Sequence, residues 1–232
     1  MPEGLERFSV SEGESDLDIA ARTDLSREAR RELVRQRAIL AAYLHKHPNF
    51  HRALHPLPAE PDAPEIVRVM STASFMTRTG PMAAVAGAIA EMVGGHILSF
   101  SEEVIVENGG DIFLKMSRPA TIGLYAGDSP FSLRLGISVA PSRNPKGIAT
   151  SSGTVGHSFS RGKADLVTII SSSASLSDGA ATYFANHVSH PGDFSACESM
   201  LPDFPFIEGI VIITGKELFS WGQVQLVSLP SS

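Results

Sequence analysis

The sequence predicts an α+β fold: a mostly antiparallel sheet with packed helices. Three observations point there. Short runs rich in Val, Ile and Phe follow one another through the middle and end of the chain. Two of them, Glu103-Val104-Ile105-Val106 and Ile112-Phe113-Leu114, flank Glu107-Asn108-Gly109-Gly110-Asp111, and Asn-Gly is a strong hairpin signal. Helical periodicity is confined to a few segments inserted among mostly neighbouring strands.

Taken in order, residues 7–22 alternate weakly around Gly13 and read as a short hairpin. A helix of about twenty residues follows, opening near Asp24 or Ser26 and stopped by Pro48. Leu25, Ala29, Leu33, Leu40 and Leu44 fall near one face. Arg27, Arg30, Arg31 and Arg35 lie elsewhere, with Glu28 and Glu32, as a solvated face. Pro56, Pro58, Pro61 and Pro64 make 56–65 a stiff connector. It divides an N-terminal arm, 1–55, from the main body, 66–232. A strand is expected at 66–70. Pro81 then opens a helix over 82–93 whose Ala83, Ala84, Ala86, Gly87, Ala88 and Ala90 carry almost no bulk. Such a helix can approach a sheet or a ligand closely. Strands near 103–107, 111–115, 121–125 and 132–139 read as a meander. A strand at 166–171 feeds a helix from about Leu176 to His187, and strands near 209–214 and 223–228 close the chain.

The bulk properties exclude several classes. With 43% hydrophobic and 19% charged residues, the chain can bury a sizeable core. A net charge of −6 argues against nucleic-acid binding, which needs a basic face to neutralise phosphates. The single cysteine, Cys197, has no thiol partner for a disulfide or a metal cluster and reads as a packed or surface thiol. No run approaches eighteen apolar residues, so no membrane span is expected. The polar start, Met1-Pro2-Glu3-Gly4-Leu5-Glu6-Arg7, lacks the pattern of a secretory signal, so the cytoplasm is the expected location.

Three clusters can carry chemistry. The first is the double-glycine turn itself. Gly109 and Gly110 permit positive φ and leave no Cβ against a ligand, while Asn108 and Asp111 add polar groups. The same letters serve a plain hairpin. The second runs from Ala149 to His157. Ser151, Ser152, Gly153 and Thr154 offer backbone N–H groups and hydroxyls to an anion, or form an ordinary polar loop. Lys163 can add positive charge there or face solvent. The third is Ser175 to Thr182. Asp178 and Thr182 are four apart and share a helical face, where oxygen ligands suit Mg²⁺. Alternatively, Ser175-x-x-Asp178 is a capping box. His45, His47, His51 and His55 have zinc-like spacing, but Pro48 interrupts any shared helix.

Taken together these clusters resemble the ApbE superfamily, flavin transferases that attach FMN from FAD to a protein threonine. The resemblance covers roughly 65–190. Gly109-Gly110-Asp111 is similar to the family's Gly-Gly-Asp turn, and Asp178 with Thr182 to its Asp-x-x-x-Thr metal motif. Ser152, Gly153 and His157 are similar to its Ser-Gly segment before a histidine. The strings 80–90, 151–158 and 162–165 resemble an uncharacterised branch of the superfamily.

The resemblance implies an ApbE-like fold, Mg²⁺ held by Asp178 and Thr182, and FAD as substrate or ligand. It implies His157 and Asp178 as catalytic residues. Asn108, Gly109, Gly110, Asp111, Ser151, Ser152, Gly153, Thr154 and Lys163 would bind the ligand. An acceptor protein and a homo-oligomer belong to the same expectation. The chain departs from the transferases in two places. Val85-Ala86-Gly87-Ala88 stands where they carry a Lys-Gly step. Ser160-Arg161-Gly162-Lys163-Ala164-Asp165 replaces their Asp-Pro-x-Thr-Gly. A non-catalytic module that holds a flavin, nucleotide or other anion is therefore the alternative.

Overall fold

The computed structural model describes residues 4–153 and 162–230. Its first hairpin joins β1 (Glu6–Glu12) to β2 (Ser15–Ala21), and β2 pairs antiparallel with β3 (Val104–Asn108). β3 turns back through Gly109-Gly110 into β4 (Asp111–Lys115). The meander expected over 103–139 breaks here. β5 (Ala120–Gly123) and β6 (Leu135–Val139) leave the sheet and pair with each other, and β6 also takes β11 (Leu226–Ser228). β4 instead pairs with β7 (Lys146–Ser151), where no strand was expected and whose last three residues were read as the start of an anion-binding or polar loop. β8 (Leu166–Ser171), β9 (Ile207–Thr214) and β10 (Glu217–Gly222) continue the sheet. Among the described residues, eight strands in the order β1-β2-β3-β4-β7-β8-β9-β10 form one sheet, and β11-β6-β5 form another.

The molecule therefore has three layers. β8 shows why. All six of its residues are buried, because neither face meets water. Leu166 and Ile170 pack with Ile137 and Val139 of the small sheet. Val167 and Ile169 pack with Phe184, Val188 and Phe204 on the helical side. The helical layer is led by α1 (Ser26–Lys46), with a short α2 (Pro48–Arg52) behind Pro48. Arg27, Arg30, Arg31 and Arg35 are exposed, but Glu32, expected on the same solvated face, is buried, where Arg35 and Gln36 both donate to its carboxylate at 2.6 Å. The N-terminal hairpin and α1 bury Phe8, Leu17, Leu33 and Leu40 in the same core as Ile89 and Phe113.

One element changes type. Residues 66–70, expected as a strand, lie in helix α3 (Glu65–Thr77). A five-residue apolar run has no period of its own. The longer window does: Ile66, Met70, Ala73 and Thr77 are buried at helical spacing. Pro64 sits directly before the first turn, where its missing N–H costs nothing. A 3₁₀ turn, Pro81–Ala84, leads into α4 (Val85–Ile97). α5 (Ala174–Ala185) and α6 (Phe194–Met200) complete the layer. No helix among the described residues is long and apolar enough to cross a membrane.

Candidate functional site

The site forms at one end of the large sheet, where three connections meet. These are the β1–β2 turn, the β3–β4 turn and the stretch after β7. Asn108 and Asp111 are register partners, so Gly109-Gly110 is a two-residue hairpin loop. Both glycines have positive φ, 64° and 104°, as a type I′ turn demands. A Cβ on Gly109 would meet nothing within 4 Å, and one on Gly110 would only graze Thr150 at 3.9 Å. The turn is a hairpin, and its glycines also leave its surface open. The two readings of this segment are compatible.

That surface faces a cleft of about 1130 Å³. Asn108, Gly109, Gly110, Asp111, Thr150 and Ser152 line one side. Met82, Val85, Ala86 and Ile89, from the small-residue segment, line another. Ile122 and Tyr125, from the small sheet and its following loop, form a third. The N-terminal segment closes the remainder with Ser15, Arg37, Leu40, Leu44 and His51. A cleft of this size, mostly apolar with a few placed polar groups, suits a small organic ligand.

α4 and α5 cross beside the cleft in near contact. A Cβ on Gly87 would lie 2.3 Å from the Ala174 carbonyl oxygen and 2.9 Å from Asp178 Cβ. The absence of bulk on α4 is what lets the helices meet. They exchange acids across the crossing. Asp178 Oδ2 of α5 accepts the Gly87 N–H at 2.9 Å, near the start of α4. Glu91 Oε2 of α4 accepts the Ser175 N–H at 3.1 Å and the Ser173 hydroxyl at 2.7 Å, at the start of α5. Each carboxylate thus meets a helix's unpaired N–H groups and positive end.

The Ser175-x-x-Asp178 capping box is not formed. Ser173 is the N-cap, accepting from the Leu176 N–H at 3.3 Å. Glu91 does from a neighbouring helix what the local acid was expected to do. Sequence reasoning passed over Glu91. Its signal was an acid one turn after Gly87 in an otherwise apolar small-residue helix.

Asp178 also faces Asp111. Asp111 is buried and receives the Thr150 backbone N–H. Burial, and then the charge of Asp178, hold its carboxyl well above the usual range. Burial likewise pushes Asp178 up to about 7, against the N–H groups of Gly87 and Ala86. Two carboxyls so placed resist carrying two negative charges together. Asn108 completes the corner by donating Nδ2–H to the Ala86 carbonyl at 3.0 Å, which ties the turn to the start of α4.

The remaining predicted residues divide. Thr182 lies one helical turn beyond Asp178 and is half-buried. Ser151 ends β7, and Ser152 is buried at the cleft. The Gly153 N–H donates to the Ala164 carbonyl at 2.9 Å, and a Cβ there would lie 2.1 Å from the Gly162 oxygen. Lys163 is exposed and does not line the cleft. Thr154 and His157 lie outside the described residues. Cys197 is fully buried, and burial raises its thiol to about 11, which makes it inert. Among the described residues, no three His, Cys, Asp or Glu side chains gather to hold a metal ion. His45, His47, His51 and His55 therefore form no such group.

The class this arrangement defines is an ApbE-like α+β fold. The apo flavinyl transferase ApbE of Pseudomonas stutzeri matches with a TM-score of 0.60, covering 94% of this chain and 93% of its own, at 14% identity. The flavin transferase ApbE of Vibrio cholerae matches at 0.58, covering 94% and 96%, at 13% identity. At such identity the likeness is one of fold. The chain itself belongs to the family described as AbpE bacteria, whose model matches residues 1–203. Its relatives include a UPF0280 protein of Methanothermobacter thermautotrophicus, 40% identical over 194 residues, covering 82% of this chain and 75% of the relative. Another, from Methanosarcina barkeri, is 38% identical over 226 residues, covering 96% and 88%.

Proposed function

We propose that the cleft binds a flavin dinucleotide and that the corner at Asp111, Asp178 and Thr182 holds Mg²⁺ for cleavage of its pyrophosphate. The observation that carries this reading is the carboxyl pair. Asp111 and Asp178 face each other, no cation among the described residues offsets either, and both are pushed toward their neutral forms. A divalent cation would relieve that conflict. The donor set is chemically suitable: two carboxylates and a hydroxyl are hard oxygen ligands, and waters and ligand phosphate can complete the shell. Mg²⁺ bound there would supply charge neutralisation on the phosphates. The ApbE transferases of similar fold support the choice of flavin.

The chain's own groups would then do the following. Gly109 and Gly110 admit the ligand to the backbone. Asn108 holds the turn against α4. An acceptor oxygen, from a protein threonine or water, attacks the phosphorus on the FMN side in line and loses its proton. The phosphoanhydride bond breaks, and AMP departs with the bonding pair. His157, catalytic by the family resemblance, is the candidate for taking that proton or for contacting a phosphate.

The test is to incubate the purified protein with FAD, with and without Mg²⁺, and to follow AMP and FMN by chromatography. The expected result is Mg²⁺-dependent AMP release that disappears in Asp178→Asn and Asp111→Asn. A second reading is favoured by a specific contact: Asp178 Oδ2 is already engaged with the Gly87 N–H. On that reading the carboxylate is a helix cap and the cleft holds its ligand without turnover. FAD binding by fluorescence with no AMP release would establish it. Neither binding nor release would remove flavin from consideration.

A further inference from the structure

The cleft has a second charged wall that the flavin chemistry above does not use. Arg37 differs from the other arginines of α1. Arg27, Arg30, Arg31 and Arg35 are exposed, whereas Arg37 is half-buried and lines the cleft. Arg35 meets a carboxylate at 2.6 Å, and Arg7 and Arg22 are likewise ion-paired. No carboxylate among the described residues lies within ion-pair distance of Arg37, although Glu14 lines the same wall. A partly desolvated guanidinium in this state is an unneutralised cation facing the ligand space.

It is also held in place. Arg37 Nη1 donates to Ser15 Oγ at 3.1 Å. The β1–β2 turn makes room for it: a Cβ on Gly13 would lie 2.5 Å from Arg37 Nη2. His51, from α2, lines the same wall and offers a second donor. Ser15 begins β2, and Asp111 begins β4, two strands away in the sheet. At ordinary strand spacing this separates the two walls by about 10 Å. The cleft therefore has Asp111 in one wall and a held guanidinium in the other, and its lining also includes Glu14, Glu107 and apolar Ile89, Ile105 and Leu40.

We infer that Arg37, positioned by Ser15 and Gly13, is an anion subsite that takes a phosphate or carboxylate on the ligand, remote from the Asp111–Asp178 corner. A guanidinium recognises both groups through paired N–H donors. The inference rests on the cleft being the ligand site, but not on that ligand being a flavin. It assigns the substrate class as an elongated molecule with an apolar middle and an anionic group at the Arg37 end.

The test uses full-length protein with chelator present, so that no metal can recruit anions to the carboxyl corner. Modification of Arg37 by phenylglyoxal is followed by mass spectrometry, alone and with inorganic pyrophosphate, AMP or succinate. The phosphate probes and succinate separate the two sources of the anion. The expected result is that at least one probe slows modification of Arg37 about tenfold. Calorimetry should show the same probe binding about 10- to 100-fold more weakly to Arg37→Gln, with partial recovery in Arg37→Lys. Circular dichroism confirms that both variants fold.

Unchanged Arg37 reactivity with every probe, or equal affinity in Arg37→Gln, would overturn the subsite and leave the Ser15 contact as purely structural. The flavin reading fails separately. Protection of Arg37 by pyrophosphate in a protein that does not bind FAD would keep the subsite and discard the flavin. FAD bound equally by wild type and Arg37→Gln, with no protection by any probe, would do the reverse.

Discussion

Glycine serves opposite ends at the helix crossing and at the hairpin turn. At Gly87 and Gly94 of α4, Gly179 of α5 and Gly147 of β7 it is there because nothing larger fits. A Cβ on Gly147 would lie 2.2 Å from the Ser173 carbonyl carbon, and one on Gly179 would lie 2.6 Å from Thr77 Oγ1. At Gly109 the surroundings are empty, and what needs glycine is the backbone, at a φ of 64°. The first region is closed so that the acids of α4 and α5 can reach each other's helix starts. The second is left open beside the cleft. A run of small residues therefore has no single meaning: packing and access use the same letters, and only the neighbours distinguish them.

The sharpest way to break this comparison is Gly147→Val. Its side chain would have to enter the backbone of the α5 start. We expect failure to fold or a fall in Tm of more than about 10 °C, beyond the usual 1–3 kcal/mol of overpacking. A Tm near wild type would show that the crossing is loose and that α5 can move.

The next effect is on the carboxyl pair. In the metal-free protein Asp111 and Asp178 keep protons at pH values where the unfolded chain has lost them. The stability this confers is fully present below the ordinary carboxyl value of 3.8 and is lost as pH rises toward about 7. Metal-free protein should therefore melt lower at about pH 8 than at about pH 5, and Asp178→Asn should flatten that slope. Asp178→Ala also removes the acceptor of the Gly87 N–H and should cost about 1 kcal/mol more than Asn. Mg²⁺ should raise Tm more at the higher pH, since it must displace a proton. Identical slopes in wild type and Asp178→Asn, measured by calorimetry, would remove the electrostatic basis of the metal corner.

Gly109→Ala tests the open region. A left-handed φ costs a side chain about 1–2 kcal/mol, so Tm should fall by only a few degrees while the fold persists. FAD affinity, measured by fluorescence, should fall more than stability does. The smallest structural effect is expected from Thr182→Val, with Tm within about 1 °C of wild type. Its Mg²⁺ affinity, measured by calorimetry, should nonetheless drop. An unchanged affinity would take the hydroxyl out of the proposed coordination shell.

How much of this was legible in the chain varies with the range of the forces involved. The β3–β4 hairpin was legible because Asn108-Gly109-Gly110-Asp111 is a local turn signal flanked by strand-forming residues. The small-residue helix was legible as an element able to pack closely, but not what it would pack against. Residues 66–70 misled because Ile66-Val67-Arg68-Val69-Met70 is β-rich over five residues and helical only over thirteen. Glu91 went unread as a site residue because its one mark, an acid in an apolar small-residue helix, does not name its partner, and Arg37 because nothing near it in sequence sets it apart. Glu91 acts on Ser175, and Arg37 on Ser15, through space.

The sequence by itself determined the α+β class, the double-glycine hairpin, the long first helix and the family strings. Those follow from turn chemistry, periodicity and propensity, which act over a few residues. The tertiary structure alone decided that β5 and β6 leave the main sheet for a second one. It also decided that Asp178 faces Asp111 and caps α4, and that the N-terminal segment becomes a wall of the cleft. Those outcomes depend on which buried faces and unpaired N–H groups meet across long separations. Only the packed chain brings those partners together.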